Sequence, residues 1–398
     1  MDPDPKSYIL SESESRAIFE SKIVPAELPP GRAPSQGPIT STSTSTSIPT
    51  STQQQHRPHH QPLAVFVIGQ TGAGKTRTAP ALKTAILELR GGHDEPLPPP
   101  AHFIADTYKA YHPAYAQLIS ISGNDGGGGS GSGSGKPGMA SAATGPDARR
   151  WLAMAARRAM ERGLDVLLES ACRHPGDFKD LARAFKEEGQ SSGEGGYNRG
   201  GGGSGAAYRV EVALVAVPRA LSLLGILTRF HARLPEAGSG SLPARLTPRK
   251  VHDDSYAGVL DAAAFVDASG VVDQVVVVRR DNLVAYANER IDDDDSGGGG
   301  GGKRWLRPGS TVDAVAVERR RPLTDLERAT AEADLQRLRD MKIPNIEAQL
   351  EEIEALLLQP AEEVFDGFEF PLLKPWQLPA KDSNSELNKT LSLRLGGG

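Results

Sequence analysis

The chain has 398 residues, a formal net charge of −5, 44 glycines and one cysteine. The acidic balance argues against a nucleic-acid binder working through a general basic surface, and the lone Cys172 excludes internal disulfides and cysteine-cluster metal sites, which suits a reducing, cytoplasmic setting. No apolar run nears the ~20 residues of a membrane span, and the start (MDPDPKSYIL) is acidic rather than basic and then apolar, so a soluble protein without membrane contact is expected.

Ser11 and Glu14 have the spacing of a capping box, opening a short helix (ESRAIFESKI) that Pro25 should stop. Residues 1–30 therefore read as an N-terminal helix of the folded unit. Residues 31–62 are rich in Ser, Thr, Pro and Gln and read as a disordered linker; His56, His59 and His60 fall there, as solvated side chains rather than metal ligands.

Leu63–Ile68 (LAVFVI) is an apolar run of strand length. It breaks into Gly69-Gln70-Thr71-Gly72-Ala73-Gly74-Lys75-Thr76, which satisfies G-x-x-x-x-G-K-[ST] at every fixed position. Glycine-rich text arises easily in this chain, so the strand before the loop and the helical text from Lys75 onward carry the assignment. In such a loop, backbone N–H groups turn around phosphate oxygens, glycine permits the turn, and the opening helix adds its positive end. Lys75 reaches the β/γ-phosphates and the Thr76 hydroxyl takes a place on Mg²⁺, so ATP and Mg²⁺ are the implied cofactors. Pro80, in the second turn, predicts a kink or a short first segment.

His102–Ala105 reads as the second strand, ending at Asp106. After a Gly/Ser tract at 122–137, Asp147–Arg162 is helical in period, and Leu164–Leu168 is a third strand ending at Glu169. A helix follows Pro175, then a second tract at 189–206 and a fourth strand, Tyr208–Val217. The helix Pro218–Arg233 leads into a Gly/Ser/Pro loop holding Arg245, and another helix starts near Pro248. Two short strands, Asp273–Val278 and Leu283–Ala287, close the core. This alternation over 63–290 predicts a three-layer α/β domain with a mostly parallel sheet. Ligands of such sheets lie at the carboxyl ends of strands, which is where Gly69, Asp106 and Glu169 fall.

An acidic, Gly-rich loop spans 291–302, and 303–398 reads as a helical extension with a tail. Thr324 and Glu327 form a second capping box, Pro344 breaks the pattern, and Ile346–Leu358 resumes it. The apolar stripe of this extension reads as core or as a surface for self-association.

Four segments follow the phosphate loop in register: DTYKAYHPAY (Asp106–Tyr115), LLESACRHP (Leu167–Pro175), VPRALSLLGILTRF (Val217–Phe230) and ARLTPRKVHDDSYAG (Ala244–Gly258). With the insertions set aside, their order and spacing from about Tyr8 to Asn288 resemble the zeta toxin family. The resemblance implies a P-loop kinase fold and transfer of the ATP γ-phosphate to a sugar hydroxyl of UDP-N-acetylglucosamine or a related nucleotide sugar. It also implies Asp106 as the base, Arg229 and Arg245 as ATP-side and lid cations, and His112-Pro113 as the family's His-Pro pair.

The residues themselves leave plainer roles open. Asp106 could be a helix N-cap, and His112 a structural hydrogen-bonding residue. Glu169 ends a buried strand and needs a partner, either Arg173, the Mg²⁺ shell or substrate. Lys109, His112, Glu169 and Arg173 are the substrate-side candidates. Ala153 stands where toxic members commonly carry a substrate-binding glutamate, which leaves the acceptor unnamed, and nothing in the sequence speaks for or against an antitoxin. A P-loop kinase for another metabolite, or an ATP-binding interaction protein without turnover, are the competing readings. The joint presence of Lys75, Thr76, Asp106, Arg229 and Arg245 favours catalysis, because binding alone needs neither a base nor two lid cations.

Overall fold

The structure is a computed structural model that describes residues 4–30, 61–90, 98–122, 139–187, 208–232, 246–292, 303–359 and 374–375. Its centre is β1 (Leu63–Ile68), buried at every position. Ala64, Phe66 and Ile68 point into one core and Leu63, Val65 and Val67 into another. An unbroken apolar run with two buried faces is what a parallel strand between helical layers requires.

β1 lies between β3 (Val166–Ser170) and β4 (Arg209–Val215), with β2 (Ala101–Ile104) outside β3 and β5 (Gln274–Val278) outside β4, all parallel. The sheet continues through β6 (Leu283–Asp292), antiparallel to β5, and β7 (Lys303–Trp305), antiparallel to β6. The two-residue β8 (Lys374–Pro375) pairs with the start of β6. The chain therefore builds outward on both sides of β1, and the strand order reverses beside it.

On one face of the sheet pack α1 (Glu12–Ile18) with the turns that follow it, α5 (Met139–Glu161), α6 (Pro175–Glu187), α8 (Arg249–Ala268) and α9 (Thr311–Arg320), contributing Phe19, Trp151, Phe178, Val259 and Val315 among others. On the other lie α3 (Lys75–Arg90), α7 (Arg219–His231), α10 (Asp325–Asp340) and α11 (Glu347–Leu358), joined through Leu82, Leu224, Leu338 and Leu350. The expected three-layer α/β architecture is the one observed.

Several boundaries differ from the sequence expectation, for physical reasons. Pro25 does not stop the first helix: a π-helical turn, Phe19–Ile23, widens the ladder and places Pro25 at the opening of α2 (Val24–Glu27), where its missing N–H is tolerated. Pro80 leaves α3 unbroken. Its ring faces solvent, while Ala79, Leu82 and Ile86 hold the axis against the core. α5 begins at Met139 rather than Asp147 and carries Pro146 inside it.

The segment Asp106–Ser122 forms a 3₁₀ turn, Thr107–Tyr111, and then α4 (Tyr115–Ser122). Both capping boxes are present with their two reciprocal hydrogen bonds. The extension is not an appendage. Ala331, Leu335 and Leu338 of α10 and Leu350 and Ile353 of α11 are buried in the same core as α7, so these apolar positions belong to the core. The three Gly-rich tracts lie mostly outside the described residues.

Candidate functional site

The loop between β1 and α3 is held in shape from several sides. Gly72 and Gly74 have φ of 81° and 96°, the left-handed region that side chains with a Cβ avoid. A Cβ on Gly72 would also lie 2.0 Å from the Ser222 carbonyl oxygen of α7, so glycine is needed there twice over. The Thr71 N–H donates to Ser255 Oγ of α8 at 3.1 Å. Lys75 Nζ donates to the Gly69 carbonyl at 2.8 Å and reaches that of Gln70 at 3.4 Å, so its ammonium curls over the mouth of the loop. Thr76 is exposed on the first turn of α3.

The sequence candidates gather around that ammonium. Burial lowers the Lys75 pKa; the nearby carboxylates of Glu169 and Asp106 oppose the shift, and the Arg229 guanidinium adds to it. Lys75, Asp106 and Glu169 thus lie at the carboxyl ends of the parallel strands, beside the reversal of strand order, with Arg229 of α7 near enough to act on the Lys75 charge.

Asp106 occupies the N-cap position of the 3₁₀ turn, yet its side chain makes no capping hydrogen bond. Its Oδ1 instead accepts from Lys109 Nζ. Lys109 is buried and also donates to Ser141 Oγ of α5 at 2.9 Å. One cation therefore ties the half-exposed Asp106 carboxylate to the helix opposite. In this structure Lys109 is occupied in holding Asp106 and Ser141.

Glu169 is buried, and its Oε1 lies 3.0 Å from His102 Nε2 on the adjacent strand. The Arg173 pairing, one of the alternatives open to Glu169, is not formed. Arg173 Nε faces Asp254 Oδ2 of α8 at 3.7 Å, because Glu169 sits within the end of β3 and points across the sheet. His112 is 3% exposed. Its Nε2 lies 3.1 Å from the Tyr8 carbonyl, and its Nδ1 accepts the Ala114 N–H at 3.2 Å. With Nε2 as donor, the ring clasps the N-terminal segment. Arg229 is half-buried near the end of α7, Ala153 is exposed on α5, and Arg245 lies outside the described residues.

Two features were not foreseen. Arg280, in the turn between β5 and β6, donates through Nη2 to the Gly72 carbonyl at 2.6 Å and the Leu221 carbonyl at 2.8 Å. Burial pushes it down to about 10, so it still carries its charge at neutral pH. A lone arginine at a turn gives no sequence signal of this. The second feature is a serine–histidine–aspartate chain. Ser222 Oγ lies 2.9 Å from His252 Nε2, and His252 Nδ1 lies 3.0 Å from Asp253 Oδ1. Ser222 and His252 are both fully buried, and the Ser222 hydroxyl also bonds the Arg219 carbonyl at 2.9 Å. Such a serine cannot meet a substrate; the chain stiffens α7 and α8 behind Gly72.

Among the described residues no three His, Cys, Asp or Glu side chains are grouped to hold a metal. No described helix is long and apolar enough to cross a membrane.

The profile of the zeta toxin family matches residues 48–192 and 204–291, more than half of the chain. A solved chain from the PezAT chromosomal toxin–antitoxin system of Streptococcus pneumoniae is similar in fold, with a TM-score of 0.50 and 16% identity over 83% of this chain and 98% of that one. No curated protein matches the sequence.

Proposed function

The chain belongs to the zeta toxin family, and from that premise we propose that it transfers the γ-phosphate of ATP to a hydroxyl of a small molecule, a UDP-sugar such as UDP-N-acetylglucosamine. The observation that supports this best is the loop itself, with Gly72 and Gly74 at positive φ and the Lys75 ammonium 2.8 Å from the Gly69 carbonyl, beside the strand ends that carry Asp106 and Glu169.

The roles follow from what phosphoryl transfer demands. Little covalent chemistry falls to the protein, so positioning and charge carry the catalysis. The N–H groups of Gly72–Thr76 and the Lys75 ammonium hold the β- and γ-phosphates, which draw Lys75 away from the loop carbonyls it now contacts. Mg²⁺, held by the Thr76 hydroxyl and phosphate oxygens, would neutralise their charge. The acceptor oxygen forms a bond to γ-phosphorus as the bond to the β-bridging oxygen breaks, and Asp106 takes the acceptor proton. Arg229 and Arg245 offset charge on the leaving phosphate. Lys109 keeps Asp106 in place, while Glu169, Arg173 and His112 border the acceptor side. Another metabolite as acceptor is the second reading, motivated by alanine at position 153.

The test is a product assay. Purified full-length protein is incubated with Mg-ATP, with and without a panel of UDP-sugars, and products are identified by mass spectrometry. A phosphorylated UDP-sugar that disappears in Lys75→Ala is the expected result. Undiminished transfer in Lys75→Ala would remove the loop assignment, and phosphorylation of a different metabolite would move the acceptor.

A further inference from the structure

The family-matched residues end at 291, yet an arginine beyond them reaches the phosphate loop. Gln70, the second residue of the loop, is fully buried, and its amide is gripped at both ends. Its Nε2 donates to the Val217 carbonyl at 2.7 Å, and its Oε1 accepts from Arg319 Nη2 of α9 at 2.9 Å. Arg319 is itself buried. Its Nη1 donates to the Tyr256 carbonyl at 2.7 Å, and its guanidinium carbon lies 3.8 Å from the centre of the Tyr256 ring. Tyr256 adjoins Ser255, which accepts the Thr71 N–H. Thr71 is therefore fixed directly by Ser255 of α8, and Gln70 through Arg319, which rests on the next α8 residue, Tyr256.

The charge makes this more than packing. The Arg319 Nε is buried without a hydrogen-bond partner. Among the described residues no carboxylate lies within ion-pair distance of Arg319, and burial pushes it down to about 10 without discharging it at neutral pH. A buried cation without a counter-charge is costly, and it sits directly behind a loop built to receive an anion. Cation–ring contact with Tyr256 offsets part of that cost, and an anion in the loop would offset more.

We propose that Arg319 is a positioning residue of the phosphate loop, acting through Gln70, and that α9 of the extension is thereby part of the nucleotide site. The proposal rests on the phosphate-loop reading of Gly69–Thr76. Gln70 occupies a variable place in the loop pattern, so no consensus flags it.

The test measures ATP affinity by calorimetry on full-length protein for wild type, Arg319→Ala, Arg319→Lys, Gln70→Ala and the Gln70→Ala/Arg319→Ala double variant, with circular dichroism confirming each fold. Arg319→Ala should weaken ATP binding by on the order of tenfold or more, the usual scale for a lost charge-assisted hydrogen bond. Its KM for ATP should rise in parallel, with a smaller change in kcat at saturating ATP. Arg319→Lys should recover part of the affinity, and the double variant should be no weaker than the worse single one, because both remove one contact. A folded Arg319→Ala that binds ATP as wild type does would overturn the proposal, as would single losses that multiply. If Arg319→Ala does not fold, Gln70→Ala and Arg319→Lys decide: unchanged affinity in both sinks it. Wild-type protein that binds no ATP at all would instead sink the phosphate-loop reading itself, and the proposal with it.

Discussion

Asp106 shows how much a single side chain's hydrogen bonds decide. It stands where a helix cap would, but its carboxylate bonds Lys109 and leaves the 3₁₀ turn uncapped. Asp106→Asn preserves shape and removes the proton acceptor. It should lower kcat by roughly 10²–10⁴-fold with ATP affinity nearly unchanged; full kcat in a steady-state assay would leave the residue no catalytic part. The phosphate loop was legible from sequence because a backbone-built cradle dictates residue types at fixed spacing, glycine at positive φ above all. The partners of the candidates were not. His102 beside Glu169, Asp254 beside Arg173 and Arg280 against Gly72 are each brought in from distant elements, and contacts across such separations leave no local pattern to read.

Among elements, the extension changes meaning most. Periodicity and the Thr324–Glu327 box gave α10 and α11, but not where their apolar faces go; the structure spends them on α7, the helix that carries Ser222 and Arg229. Leu350→Ala should therefore cost about 2–5 kcal/mol of stability, as for a core leucine, measured by urea unfolding with one shared transition for the whole protein. A cost near zero, or a separate early transition, would make the hairpin an independent unit. Helix α9 falls inside the stretch read as a helical extension, but its bounds are not legible there, because Val312, Val315 and Val317 weaken its helical text. The missed signal was Ser310, whose hydroxyl accepts the Asp313 N–H as an N-cap.

For the molecule as a whole, a buried histidine sets an acid limit. Burial holds His252 below its ordinary value near 6.5, against the opposing pull of Asp253. It takes up a proton more readily when unfolded, so this contribution to stability is complete above about pH 6.5 and declines as pH falls below it. The thermal midpoint should hold from pH 8 to 7 and drop between 6.5 and 5, with His252→Gln flattening the slope; a flat wild-type profile to pH 5 would contradict this. The grip on the loop also imposes an order of birth. Thr71 meets Ser255 across 184 positions, Gly72 meets Arg280 across 208, and Gln70 meets Arg319 across 249. At roughly 5–20 residues per second of synthesis, the first residues of the cradle leave the ribosome some 10–50 s before the arginine that braces them. A chain still being translated thus holds the motif without its support, and the finished phosphate cradle is among the last things this protein makes.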